Sequence, residues 1–187
     1  TLCVDSSMCS ATTEPRQRLF FALWPDAATR QALAKTSREL LGRRIKRVPE
    51  ENLHITLAFA GPVTAPVRDC LVAAADSIRG APFELTLDHV GHWPRPRIFW
   101  IGPAHMPPGL WSLVEALNLA FESCGLQRET RPFQAHVTLA RKVGRAPPPA
   151  ELAPITWSIG DFSLVESVTD AHGASYRRLL TWKLADG

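Results

Sequence analysis

No apolar run in this 187-residue chain approaches the length that spans a bilayer, and the longest candidate, Leu19 to Trp24, is only strand-length. The opening residues Thr1-Leu2-Cys3-Val4-Asp5-Ser6-Ser7 have no basic region leading into an apolar stretch, so they do not read as a secretion signal. Neither G-x-x-x-x-G-K-[ST] nor G-x-G-x-x-G occurs, which disfavours ATP use and dinucleotide binding. There is no G-x-S-x-G elbow, which disfavours that kind of serine hydrolase. Metal-ligand spacings are missing too: no H-x-H, no H-E-x-x-H and no cysteine cluster. No catalytic metal and no cofactor are expected. The four cysteines form no C-x-x-C pair. Cys3 and Cys9 lie near the start. Cys70 and Cys124 fall in apolar helical patterns, where inert buried thiols are expected, and a reduced, cytoplasmic protein with them.

What is present is ordinary globular composition, 45% apolar and 21% charged. Sixteen prolines imply many stiff loops. The 21 Lys and Arg against 18 Asp and Glu leave a charge of +3, which permits an anionic substrate without demanding one. Residues 1–15 are Ser/Thr-rich and aperiodic and read as a disordered leader. Residues 16–187 read as one bilobal domain, with halves at roughly 16–92 and 93–187 and room for strand exchange between them.

The elements come twice in the same order. A dense strand candidate, Arg18 to Trp24, is followed by a helix over 27–41, a turn at 49–52 and a second strand over 53–60. Another helix is expected over 67–78 and a strand over 83–90. Then Arg97-Ile98-Phe99-Trp100-Ile101 resembles the opening strand. A helix over 110–124 shows Leu110, Leu113, Leu117 and Phe121 on one face with Gly125 as its stop, and a strand follows over 133–140. Strands over 155–165 and 175–184 close the chain, as a hairpin around Asp170-Ala171-His172-Gly173. The expected fold is α+β: a duplicated, bilobal body with two antiparallel sheets flanked by helices around a central cleft, with approximate twofold symmetry.

Within the repeat, Asn52-Leu53-His54-Ile55-Thr56-Leu57-Ala58 matches Gln134-Ala135-His136-Val137-Thr138-Leu139-Ala140. Residues two apart in a strand share a face, so His54 points with Thr56, and His136 with Thr138. Two imidazoles across an anion can take a proton from an attacking oxygen and give one to a leaving oxygen, and their ordinary pKa near 6.5 suits both tasks. The two hydroxyls can donate to phosphoryl oxygens. This set fits in-line opening of a phosphodiester. Arg141 follows the second motif, although strict alternation points it away from His136. Phe133, Trp93 and Tyr176 are candidates for stacking on a nucleobase, and Arg131 for an RNA contact. His89, His92, His105 and His172 lack duplicated partners and read as structural or exposed.

These residues resemble a known family, the RNA 2',3'-cyclic phosphodiesterases or 2'-5' RNA ligases of the two-histidine phosphoesterase superfamily. The resemblance rests on His54-Ile55-Thr56-Leu57-Ala58-Phe59-Ala60-Gly61 and His136-Val137-Thr138-Leu139-Ala140-Arg141. Leu19-Phe20-Phe21-Ala22-Leu23, Pro49-Glu50-Glu51-Asn52-Leu53 and Arg131-Pro132-Phe133 support it, and it covers about residues 16–184. It implies hydrolysis of a terminal 2',3'-cyclic phosphate to a 2'-phosphomonoester without metal or nucleotide cofactor. It also implies His54 as proton donor to the leaving 3' oxygen, His136 as base toward water, and Thr56, Thr138 and Arg141 as phosphate ligands. The implied partner is RNA or a nucleotide with a cyclic phosphate end, with no membrane and a monomeric enzyme. Reversible 2'-5' joining is a minor expectation, because water outnumbers any RNA hydroxyl unless the cleft holds a second end. Ala60 stands where many relatives carry a larger apolar residue. The rival readings are a phosphodiesterase for another 2',3'-cyclic nucleotide or 2'-5' linked oligonucleotide, and a non-catalytic nucleotide-binding or RNA-binding module.

Overall fold

The structure, a computed structural model, describes residues 14–148, 151–170 and 173–185. The expected leader falls largely outside these, as does His172 with the tip of the last hairpin. Twelve elements follow in order. They are β1 (Gln17–Leu23), α1 (Ala27–Leu40), β2 (Ile55–Val63), α2 (Ala65–Asp76), β3 (Phe83–Leu87), β4 (His89–Trp93), β5 (Ile98–Gly102), α3 (Pro108–Ser123), β6 (Val137–Arg141), β7 (Ile155–Ile159), β8 (Asp161–Asp170) and β9 (Gly173–Lys183). All pairings are antiparallel. The larger sheet has the order β4-β5-β6-β2-β1-β8-β9, and the smaller is β3-β7.

Two long strand expectations divide. The 83–90 segment breaks at Asp88 into β3 and β4, and the 155–165 segment breaks at Gly160 into β7 and β8. In each case the first piece joins the small sheet and the second the large one. The apolar phase shifts at each break, from Phe83, Leu85 and Leu87 to Val90 and from Ile155, Trp157 and Ile159 to Phe162 and Leu164, a change that one continuous strand expectation passes over. One product is that His89 and His92 lie in a strand, β4, paired with Phe99 to Gly102 of β5.

The duplication organises the large sheet. β1, α1 and β2 correspond in order to β5, α3 and β6. The central strands β2 and β6 meet at one residue pair, Ile55 with Val137. Each is the residue after its histidine, so the repeat pairs with itself, as an approximate twofold axis requires. The helices then cross over: α1 packs against β6 and β7, and α3 against β2.

Each strand sorts its side chains between two faces. Leu19, Phe21 and Leu23 of β1 enter the main core against the helix layer. Phe20 and Ala22 join Val165, Trp24 and Tyr176 in a smaller cluster on the opposite face. α3 presents Leu110, Leu113, Val114, Leu117, Ala120 and Phe121 to the core, the spacing of one helical face. Gly125 ends this helix region at φ +76°, the left-handed conformation that glycine adopts without strain. α1 starts at Asp26, whose carboxylate accepts from the Thr29 N–H at 2.7 Å. Phe21 is fully buried against Phe121, Phe162 and Trp182, and truncation to Ala there should cost about 3–5 kcal/mol.

The expectation of reduced, inert thiols is corrected. Cys70 of α2 and Cys124, which caps α3, are joined by a disulfide with their Cα atoms 5.8 Å apart. Each position was read along its own helix, and the packing of α2 on α3 is not visible from either pattern alone. The expectation of a cytoplasmic location loses the support it drew from reduced cysteines. Among the described residues no helix is long and apolar enough to cross a membrane.

Candidate active site

The Ile55–Val137 pair sets the geometry. One step along these antiparallel strands places His54 across from Thr138 and Thr56 across from His136. The histidines are then diagonal neighbours on one face, near enough that the charge of His136 acts on His54. The cross-strand partners fix the face. Ala22 is opposite Thr56, and Trp100 is opposite Thr138. Ala22 belongs to the smaller cluster, on the face away from the helices, and the Trp100 ring lies near His136.

The same backbone latch holds both imidazoles. His54 Nδ1 lies 2.7 Å from the Asn52 carbonyl, and His136 Nδ1 lies 2.9 Å from the Gln134 carbonyl. A carbonyl only accepts, so each Nδ1 carries the proton and donates. Each Nε2 is left as the atom that can take or give a proton. These latches join residues two apart, and nothing in residue type announces them.

Aromatic rings enclose the histidines. Trp24 stacks on His54 with ring centroids 5.0 Å apart and planes 1° from parallel. Tyr176 meets His54 edge-on at 4.9 Å, and Phe20 lies at 5.2 Å. Trp93 meets His136 edge-on at 4.6 Å, with Trp100 behind it. Gly91 makes room for this arrangement, because a Cβ there would collide with the Trp100 indole. Burial pulls the His54 pKa down to about 4, helped by the positive charges of Arg141 and His136 and opposed by the bond to the Asn52 carbonyl. His136 is also lowered, first by burial and further by Arg141, with the Gln134 carbonyl opposing. Both imidazoles are therefore neutral at pH 7.

Arg141 reaches the cleft, and a β-bulge explains how. Trp100 pairs with Thr138 and Phe99 with Ala140, leaving Leu139 as an extra residue in β6. Leu139 and Ala140 are both buried, and the alternation resumes one step late. Arg141, opposite Ile98, thus returns to the His136 face. The same irregularity occurs in β2: Ala22 pairs with Thr56 and Phe21 with Ala58, leaving Leu57 extra. Phe59, opposite Phe20, therefore occupies in the first half the place Arg141 occupies in the second. It is 50% exposed, with the Arg18 guanidinium 4.7 Å above its ring. Sequence reasoning missed Phe59 as a site residue. The available signal was two adjacent apolar residues breaking alternation in both motifs, Leu57-Ala58 and Leu139-Ala140.

The other sequence candidates are placed as follows. Trp93 and Tyr176 are in the site, with their rings set against the imidazoles. Phe133 packs on the core and lies edge-on to Trp111 of α3, 6.4 Å away, and no contact brings it to either histidine. Arg131 is exposed and paired with Glu129 at 2.7 Å. His92 Nε2 lies 2.8 Å from the Val143 carbonyl, a structural contact.

The duplicated antiparallel fold is that of a class of phosphoesterases, as comparisons with known proteins show. One solved phosphoesterase superimposes with a TM-score of 0.83 at 32% identity, covering 91% of this chain and 99% of that one. The Escherichia coli protein LigT, solved with 3'-AMP, superimposes with a TM-score of 0.81 at 32% identity over 91% of this chain and 99% of its own. In sequence, the RNA 2',3'-cyclic phosphodiesterase of Escherichia coli strain K12 is 35% identical over 92% of this chain and 98% of its own length. The family model of the 2'-5' RNA ligase superfamily matches residues 24–171, and the chain belongs to that superfamily.

Proposed function

We propose that this chain hydrolyses the 2',3'-cyclic phosphate ends of RNA to 2'-phosphomonoesters, with His54 and His136 as its proton-transfer groups. The observation that carries this reading is the pair of Nδ1 latches, which leave two reactive Nε2 atoms on one face beside two threonine hydroxyls. The relatives named for this activity support the choice of substrate.

In the proposed reaction the cyclic phosphate sits between the imidazoles. Thr56 and Thr138 donate to its free oxygens, and Arg141 offsets the negative charge that grows at phosphorus. His136 Nε2 takes a proton from water as the water oxygen bonds to phosphorus. The bond from phosphorus to O3' breaks, and His54 Nε2 gives its proton to O3'. The product carries a 2'-phosphate and a free 3'-hydroxyl. His54 must begin protonated although burial favours its neutral form, so the phosphodiester anion itself brings the charge that stabilises its imidazolium. The donor set of two imidazoles, two hydroxyls and a guanidinium contains no carboxylate or thiolate, which suits chemistry without a metal. Phe59 offers a ring on the side of the cleft opposite Arg141, and a terminal base stacked there would give an asymmetric substrate one orientation in a nearly symmetric site. Ligation of RNA ends is the same ring opening with a ribose hydroxyl in place of water as the nucleophile, and stays minor against bulk water.

Phosphorus NMR of a 2',3'-cyclic mononucleotide incubated with the protein and EDTA tests this. A 2'-phosphate product is expected. A 3'-phosphate product would reverse the leaving group, and absence of any product would remove the proposed activity.

A further inference from the structure

Resting on that reading, we propose that the protein also holds the RNA strand upstream of the reacting end, along a basic track built from three separate segments beside the cleft. The first is the loop after α1, with Arg43, Arg44, Lys46 and Arg47. It lies along β6, where Arg47 bridges Ala140 and the Val48 N–H donates to the Leu139 carbonyl at 2.8 Å. It fills the space where β2 diverges from β6 after their single shared pair. The second is the 94–97 turn, with Arg95 and Arg97. The third follows β6, with Lys142 and Arg145. The Val143 N–H donates to the Arg97 carbonyl at 3.0 Å, which joins the second segment to the third.

Two observations set this surface apart from ordinary solvated charge. The first is pairing. Lys35, Arg38, Arg68, Arg128, Arg131, Arg177 and Lys183 each have a carboxylate partner. Among the described residues, no cation of the three segments does; Arg16, Arg18, Arg30, Arg79 and Arg178 also lack a carboxylate partner, but they are spread over β1 and the residue before it, α1, the stretch after α2 and β9, whereas the three segments gather eight such cations. Within 41–52, 94–98 and 141–148 the acidic residues are Glu50 and Glu51, and Glu50 is held by Arg38 at 2.9 Å. The second is backbone conformation. Arg97 and Lys142 have φ of +64° and +60°, a region that side chains with a Cβ enter at a cost. These are the only non-glycine residues with positive φ among those described, and both are basic and adjoin the same strand end. A strained backbone that turns two cations outward beside Arg141 fits repeated phosphates, which continue from a 3'-terminal nucleotide in only one direction. Single-stranded RNA provides that spacing, and a mononucleotide does not.

The test compares wild type with the triple variant Arg43→Ala, Arg44→Ala, Arg145→Ala on two substrates, a 2',3'-cyclic mononucleotide and a twelve-nucleotide RNA with a cyclic phosphate end. For the RNA, kcat/KM should fall about tenfold or more at low salt, and its log–log salt dependence should flatten by about two, near 0.7 per lost phosphate contact. For the mononucleotide kcat/KM should stay within twofold. An equal loss on both substrates, or no loss on the RNA, would overturn the track. Anisotropy of a labelled RNA with an ordinary 3'-hydroxyl reads the track independently of turnover: weaker binding by the variant supports it, and unchanged binding rejects it. Failure of wild type to turn over either substrate would count against the hydrolytic reading alone, because the anisotropy result still decides the track.

Discussion

Around His54 three rings close in, Phe20 from β1, Trp24 just after it and Tyr176 from β9. Around His136 stand Trp93 of β4 and Trp100 of β5. The backbone unit is the same in both places: a histidine latched to the carbonyl two residues before it, a threonine two residues after it, and a bulge at the following leucine. What differs is the packing and the residue beyond the bulge, Phe59 in one half and Arg141 in the other. A repeated backbone thus presents two chemically distinct histidines. The more enclosed one is harder to protonate, yet it is the one proposed to donate, and in that proposal the substrate's own charge becomes part of the acid. Local motif sets the positions, and distant strands such as β9 set the proton affinity.

The comparison can be broken most sharply at the histidines. His54→Ala and His136→Ala should each lower kcat on a cyclic mononucleotide by about 100-fold or more, with unchanged thermal melting at pH 7. Normal turnover in either variant would remove that imidazole from the pair. Arg141→Ala comes next, with a loss of about tenfold or more in kcat/KM. Its pH profile sharpens the point. Both imidazole pKa values are lowered, so the wild-type kcat/KM profile should peak below about pH 6.5. Removing the guanidinium removes a charge that disfavours each imidazolium, so both limbs should move to higher pH. A profile that stays in place would mean that burial alone sets the pKa values. Phe59→Ala should raise KM several-fold and leave kcat within twofold. A fall in kcat with unchanged KM would place Phe59 at the reacting atoms instead. The smallest effect on turnover is expected at the disulfide. Cys70→Ser should leave kcat within twofold but lower the melting temperature, because a cross-link between residues 54 apart contributes about 4 kcal/mol on a chain-entropy basis.

The repeat made much of this legible before any coordinates. His54, Thr56, His136 and Thr138 share a face because strand alternation is local and short. The helices expected over 27–41 and 110–124 from spacing and stops form as Ala27–Leu40 and Pro108–Ser123. What was not legible depends on partners across the sheet. Arg141 was expected to point away because alternation was carried through Leu139, and only the register against β5 shows the extra residue there. The breaks at Asp88 and Gly160 mark where a strand changes sheets; the apolar phase shifts by one residue at each, but a one-residue shift does not say which strand becomes the new partner. Cys70 and Cys124 looked alike as buried helical residues, and their bond depends on two helices meeting.

The pairing of β8 with β1 also bears on how the chain is made. During synthesis β1 is made before β8, and Leu19 to Ala22 wait for Ser163 to Glu166 to cover their free edge. Tyr176 arrives later still. The histidine strand synthesised first therefore belongs to the half completed later, and the nascent chain carries an open edge at β1 until β8 is made.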